Sequence, residues 1–455
     1  MRRVLLTLIP AAALCGCNMA PVYVRPSAPV PARWPQGTPY VASSTAEKAG
    51  LPWTLLIGDP KLKTVIERAL SDNRDLRVAL ANVLSARAQY RIQRAAQLPA
   101  VTGEAGSSIA RQNGVVRDSY SGNVGFSAFE IDLFGRLKNL SEAALQTYLA
   151  SEEGARSTRI ALVAETANAY ATLAADQELL AVARETLAST EHSLALIRSL
   201  NRAGLTDKLD VHQAETTAEQ ARSDVASGMA QLAQDRNALD LLVGAPVEST
   251  LLPQSLQGLA DTVARVPAGL SSDVLLQRPD VLQAEHQLKA ANADIGAARA
   301  AMFPRISLTA AIGAASSALS SLFSGGAFAW SAAPSASVPV FGGSARGNLD
   351  YSKAQRDRYL AQYELAIQTA FREVSDALAR AGTIDEQLGA QRRLVVASQR
   401  AFALSQERYR AGIDTFLNSL VNQRAFYSAQ RSAIATQLKQ VQNRLTLYRV
   451  IGADF

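Results

Sequence analysis

Arg202-Ala203-Gly204-Leu205-Thr206-Asp207 separates two long proline-free segments, 136–200 and 207–243, and this hairpin decides the fold. Leu173, Leu180, Leu187 and Leu194 recur every seven residues, the spacing that keeps one seam of a helix against a partner. At ~1.5 Å per residue the outgoing helix is on the order of 100 Å long, far more than a globular core needs. An extended antiparallel coiled coil is the predicted element.

The pattern occurs twice. At an offset of 208, Leu180, Leu187 and Leu194 become Leu388, Val395 and Phe402, and the heptad continues to Tyr409. The same offset carries Gly204 to Gly412, so Arg-Ala-Gly-Leu-Thr-Asp is matched by Arg-Ala-Gly-Ile-Asp-Thr. It also carries Leu242-Val243-Gly244-Ala245 to Val450-Ile451-Gly452-Ala453. At an offset of 205, Asn73-Arg74-Asp75-Leu76 becomes Arg278-Pro279-Asp280-Val281, and Leu98-Pro99 becomes Phe303-Pro304. The chain is two copies of one unit, repeat 1 over 61–244 and repeat 2 over 278–455, joined by a connector at 245–277.

Composition excludes several classes. The net charge of +6 is spread along the helices with no basic block, so no nucleic-acid partner is expected. The two cysteines stand at 15 and 17, which leaves no disulfide framework and no cysteine metal site. Arg2-Arg3 precede an apolar run at 4–14 too short to span a bilayer. Leu14-Cys15-Gly16-Cys17 follows and resembles the bacterial lipoprotein signal. That likeness implies a signal peptide at 1–16, N-acyl and S-diacylglycerol (palmitate-type) lipid on Cys17, and sorting to the outer membrane beside Asn18. An ordinary secretory signal with incidental cysteines is the simpler alternative.

Residues 17–60 are rich in proline (Pro21, Pro26, Pro29, Pro31, Pro35, Pro39 and Pro52) and read as extended chain, either a free linker or a strap along the surface. Helices are predicted at about 61–71 and 73–97. After Pro99 and Pro304 the period changes to two. Ile306, Leu308, Ala310 and Ile312 form one face, and Phe328, Trp330 and Ala332 another. Val124, Phe126 and Ala128 alternate in the first copy. Strands are predicted at about 100–112, 120–131, 305–315 and 327–340, as a half-buried soluble sheet or as membrane strands. Four strands cannot close, and lipid tolerates no open edge, so strands that span a membrane require several chains in one barrel. The return helix and the short helix before the strands together equal the long helix, so the two should stack end to end beside it.

These residues together resemble the outer-membrane factors of tripartite efflux systems, the TolC-like superfamily, and within it the NodT-like lipoproteins paired with proton-driven RND-type exporters. The likeness rests on Cys17, Ala20-Pro21-Val22-Tyr23-Val24-Arg25-Pro26, Trp53 with Asp59-Pro60, Asp132-Leu133-Phe134-Gly135-Arg136 and the two Arg-Ala-Gly turns. It covers essentially the whole chain. It implies a mainly α fold with a membrane β-barrel portion: a homotrimer closing a twelve-stranded barrel on a periplasmic α-helical barrel. It implies a periplasmic adaptor at the tip turns Gly204, Leu205, Thr206 and Gly412, Ile413, Asp414, and an inner-membrane RND-type pump beyond it. It also implies a resting gate lined or braced by Ile413, Asp414 and Leu417. Many relatives continue with Leu-Asp-Ala-Gln-Arg, whereas this chain has Leu420-Val421-Asn422-Gln423-Arg424. A valine ring there makes a dry constriction in place of an acidic one.

No enzyme is expected. His192, His212 and His286 are dispersed, and His212 with Glu215 is a poor metal pair against the simpler reading of a polar helix face. Phe341-Gly342-Gly343-Ser344-Ala345-Arg346-Gly347 lacks a Walker lysine and reads as a strand-to-helix bend. The function expected is a passive exit channel for small molecules such as drugs, with no cofactor beyond the lipid. The alternatives are an exit duct for type I protein secretion and a lipid-tethered periplasmic scaffold with no pore.

Overall fold

A computed structural model describes residues 18–40, 52–264 and 272–451. Cys17, the signal segment and the chain end beyond 451 lie outside them. The chain divides into two compact units.

The first unit gathers 18–27, 81–153 and 282–365. Its centre is one antiparallel sheet in the order β1-β2-β3-β4: β1 (Thr102–Gln112), β2 (Val115–Ile131), β3 (Arg305–Ser316) and β4 (Phe328–Ser337). Each repeat supplies one hairpin, and β2–β3 pairing joins them, with Val124 opposite Ile312. β1 and β4 are the free edges of the sheet. Two boundaries differ from expectation. β2 begins at Val115, not near 120, because Asn113 and Gly114 at positive φ close the β1–β2 turn in two residues. β4 ends at Ser337 short of Pro339, which has no N–H to donate. Pro334 lies within β4, opposite Leu308 of β3. A bulge between Phe126 and Phe129 puts Ala128 at φ 52°, and its N–H donates to Thr309 Oγ1 at 3.0 Å.

Below the sheet, Asp132 caps α4 (Arg136–Arg202) by accepting from the Arg136 and Lys138 N–H groups. Arg136 grips Glu130 at the end of β2 with two bonds of 2.7 and 2.6 Å. Phe134 stacks on Phe303, the residue before Pro304. Residues 19–25 of the proline-rich segment lie as a strap on α7 (Pro279–Ala300). Arg299 donates to Met19 O, Asn292 to Pro21 O, and Tyr23 and Arg25 both donate to Glu285.

The second unit gathers 28–40, 52–80, 154–264, 272–281 and 366–451. It holds α1 (Trp53–Leu56), α2 (Pro60–Asp72), α5 (Lys208–Val243), α6 (Leu256–Thr262), α9 (Phe416–Ile451), the first turns of α3 (Arg74–Ala95) and most of α4 and α8 (Ser344–Arg410). The duplication is visible in the lengths: α4 and α8 have 67 residues each, α5 and α9 have 36, and α3 and α7 have 22. Leu173, Leu180, Leu194 and Leu388 are buried, as their seam position requires. The short helices meet end to end as predicted. Asn73 Nδ2 donates to Leu242 O at 2.8 Å, so α3 begins where α5 ends. Arg278 likewise donates to Val450 O at 2.6 Å, so α7 begins where α9 ends.

Sequence periodicity misses α1 and α6, which are too short to show any. They are held by distant partners. Gly58 N donates to Thr262 O at 2.8 Å, Arg444 reaches Ala260 O and Val263 O, and Tyr170 OH donates to Leu251 O. The described part of the connector therefore lies against α4 and α9. Its residues 265–271 are outside the described set.

Candidate functional site

Both helical hairpins turn through the same geometry. Gly204 sits at φ 75° and Gly412 at φ 69°. Leu205 N donates to Leu200 O and Ile413 N to Arg408 O, each at 2.9 Å, across six residues. This is a Schellman ending, in which a residue of left-handed conformation stops the helix and satisfies its last carbonyls. A Cβ at either glycine meets nothing within 4 Å, so the requirement is conformational, not spatial. Gly412→Ala is therefore expected to destabilise the turn by about 1 kcal/mol without disturbing any neighbour, read as a small drop in thermal midpoint.

The side chains of the two tips do different work. In the first, Asp207 accepts from Asp210 N at 2.9 Å, Asn201 donates to Thr206 O, and Thr206 Oγ1 contacts the Asp210 carboxylate. In the second, Asp414 accepts from Asn418 Nδ2, Thr415 N and Arg408 Nε. These bonds, Asn418 first, hold its carboxyl below the usual aspartate value. Asp414 is thus occupied in bracing the turn and stays ionised near neutrality. The apolar residues point elsewhere. Ile413 (65%) is exposed in the turn, and Leu417 (49%) and Val421 (54%) are exposed four residues apart on one face of α9. Leu205 of the first tip is also exposed.

Behind the tips a small core ties both hairpins together. Leu194, Ile197, Ala214, Ala218, Phe416 and Leu420 are buried against one another, with Tyr409 packed on Phe416 at 5.6 Å between ring centres. Farther along, Gln423 donates to Ser189 Oγ, and Tyr427 OH donates to Asp224 Oδ2 at 2.9 Å. Each bond joins α9 to the first hairpin.

Two polar features were not legible as sites. Arg278, with its side chain 6% exposed, donates to both oxygens of Asp280 (3.0 and 2.7 Å), to Glu373 Oε2 (2.9 Å) and to Val450 O. Its repeat partner is the buried Asn73, which bonds Leu242 O and caps Leu76 N. Both residues splice two helices into one rod.

The second feature is a carboxyl pair between α4 and α5. Asp176 is pushed up to about 7, by desolvation first and then by Asp235. Asp235 accepts from Gln231 on one oxygen, and its other oxygen is buried without a partner among the described residues. A proton held by Asp176 fills that need. Because this pKa lies above the ordinary 3.8, the pair stabilises the fold when protonated and loses that contribution as pH rises through about 7. Asp176→Asn should therefore stabilise the fold more at pH 8 than at pH 5, by on the order of 1 kcal/mol after allowing for solvent screening, read as a larger rise in thermal midpoint at pH 8.

The enzyme-like features resolve structurally. His212 Nδ1 lies 3.0 Å from Glu215, which also pairs with Arg198, and His286 bonds Gln146 Oε1 at 2.7 Å. Among the described residues no three His, Cys, Asp or Glu side chains cluster as metal ligands. The glycine-rich 341–347 leads into the first turn of α8. Among the described residues no helix is long and apolar enough to cross a membrane.

The profile of the family described as "Outer membrane efflux protein" matches residues 65–245 and 270–453. The toluene efflux pump outer membrane protein TtgC of Pseudomonas putida is 47% identical over 467 residues, 100% of this chain and 96% of that one. The antibiotic efflux pump outer membrane protein ArpC of Pseudomonas putida matches to the same extent. The crystal structure of the open state of the Neisseria gonorrhoeae MtrE outer membrane channel superposes with a TM-score of 0.85 at 35% identity, covering 96% of this chain and 98% of that chain.

Proposed function

The chain belongs to the outer membrane efflux protein family, and from that premise we propose how it serves as the outer-membrane exit channel of an efflux pump. The observation that carries the mechanism is the sheet with two free edges. The outer edges of β1 and β4 have no partner strand among the described residues, while β2 and β4 run on toward the two 67-residue helices α4 and α8. A membrane sheet must close, so β4 of one copy pairs with β1 of the next. Three copies give twelve strands and a helical tube below them. Solute moves through this tube passively, and the energy comes from an inner-membrane RND-type pump.

The tips are the regulated end. Ile413, Leu417 and Val421 present an apolar stripe that, repeated around the axis, forms a dry constriction. Asp414 braces the turn beneath it. A periplasmic adaptor binds the turns at Gly204-Leu205-Thr206 and Gly412-Ile413-Asp414 and spreads the stripe. Lipid on Cys17 tethers the strap to the outer membrane. The family is one of transport channels, and no catalytic role is assigned.

Two measurements test this reading. Native mass spectrometry of the detergent-extracted protein should give three chains, each heavier by the lipid mass, and Cys17→Ser should lose that mass. A monomer or dimer would remove the twelve-stranded closure. In a strain deleted for its own efflux outer-membrane protein but retaining the matching pump and adaptor, the chain should restore resistance to small hydrophobic drugs.

A further inference from the structure

Helix α7 carries the strap on one face and something different on the other. The strap contacts Glu285, Asn292 and Arg299, which share one face at spacings of seven. Asp294, Ala298 and Ala301 lie about half a turn away at 100° per residue. They line a cavity of about 280 Å³ completed by Arg136 and Leu140 of α4, Arg305 of β3, and Tyr351, Ser352 and Gln355 of α8.

The polar groups of this cavity are largely uncommitted. Arg136 is neutralised by Glu130, and Ser352 bonds Asn348 O. Asp294, Arg305, Tyr351 and Gln355 have no hydrogen bond or ion pair from their side chains among the described residues. A free acid and a free guanidinium thus share one small cavity without pairing with each other, around a floor of alanine and leucine. Desolvation lifts the Asp294 carboxyl above the ordinary aspartate value, and neither guanidinium of the cavity pairs with it. Small-molecule sites have this make-up, a mostly apolar wall with a few convergent polar groups.

We propose that this cavity is a subsite for a small zwitterionic amphiphile, whose anionic group meets Arg305, whose ammonium meets Asp294, and whose apolar body lies on Ala297, Ala298 and Ala301 beside Tyr351. The inference rests on the exit-channel reading in one respect. In that reading the strap, which follows the lipid-bearing end, lies on the outside of the tube, and the opposite face of α7 looks into the duct. The site then holds solute briefly in the wall of the tube just below the barrel. The same chemistry is offered by a free amphiphile and by a phosphatidylethanolamine headgroup.

The test uses the full trimer in detergent with Nε-dansyl-lysine, a fluorescent zwitterion with an apolar body. Saturable fluorescence enhancement is expected, weakened at least tenfold in both Arg305→Gln and Asp294→Asn. Asn292→Ala, on the strap face, should bind as wild type does. Displacement by dihexanoyl-phosphatidylethanolamine at concentrations below those of the probe assigns the site to headgroups, and failure to displace assigns it to free solute. Binding unaltered by either charge substitution, or no saturable binding at all, overturns the proposal. Conductance of the same preparations in planar bilayers is read in parallel. A protein that conducts without binding sinks the subsite alone, and one that binds without conducting sinks the channel reading alone.

Discussion

Gly313→Val is expected to abolish the barrel while leaving the helices able to form. Gly313 pairs with Asn123 at the β2–β3 seam, the place where the two repeats' hairpins join. A Cβ there overlaps the Gly122 carbonyl oxygen and comes within 2.5 Å of Asn123 Cα. Both are backbone atoms of the paired strand, so no rotamer change can relieve the clash. Separation of the strands leaves ladder N–H and C=O groups unpaired, at several kcal/mol for each group left bare in lipid. The variant should be lost from the outer-membrane fraction and should fail to give the trimer band on unheated gels. The contrasting control is Gly106→Ala in β1. A Cβ there has only Ser121 Oγ at 3.9 Å, so assembly should be unaltered.

Arg278→Ala should be strongly destabilising. It leaves Glu373 with only the more distant Arg449 (3.7 Å), Asp280 without its bidentate partner, and the Val450 carbonyl at the end of α9 without that donor. The carboxylates left behind are partly exposed (Asp280 41%, Glu373 24%), so water takes up part of their charge and the loss is on the order of 3 kcal/mol, below the full penalty of a broken buried pair. Arg278→Lys should recover part of this, since an ammonium cannot grip Asp280 bidentately and also reach Glu373 and Val450. Asn73→Ala, at the matching splice of repeat 1, removes two hydrogen bonds and no charge. About 2 kcal/mol is expected there. Thermal midpoints of the detergent-extracted trimer should rank wild type, Asn73→Ala and Arg278→Ala in falling order.

The contrast between the two splices also marks what a sequence makes plain and what it does not. Long periodic elements are legible because their signal repeats. The seven-residue leucines, the two Arg-Ala-Gly turns and the paired offsets specify four helices in two matched pairs, and the lengths agree. The need for more than one chain is legible too, from four strands that cannot close. Short elements are not. Both α1 and α6 are fixed by bonds to residues far away in the chain, Ala264 N to Leu56 O for α1 and Arg444 to Ala260 O for α6. The start of β2 is hidden by Arg117 and Asp118, whose charges mask the alternation, although Asn113-Gly114 is a strong hairpin signal on its own. Arg278 and Asn73 can be matched as repeat partners, but nothing local says that each reaches back to the end of a helix some 170 residues distant. Asp176 and Asp235 look like solvated helix charges until the packing places them together.

At the tip, residue roles divide by what each side chain touches. Asp414 has polar partners and is spent on the turn, whereas Ile413 in the turn and Leu417 and Val421 on α9 are left exposed. That division makes an apolar, pH-independent closure the central mechanistic claim. Single-channel conductance in planar bilayers tests it most directly, comparing wild type with the Ile413→Ala, Leu417→Ala double variant at pH 5 and pH 8. Small, infrequent openings are expected for wild type at both pH values, and large, steady conductance for the double variant. A wild-type channel that is already wide open, or a double variant indistinguishable from it, would contradict a gate at these residues.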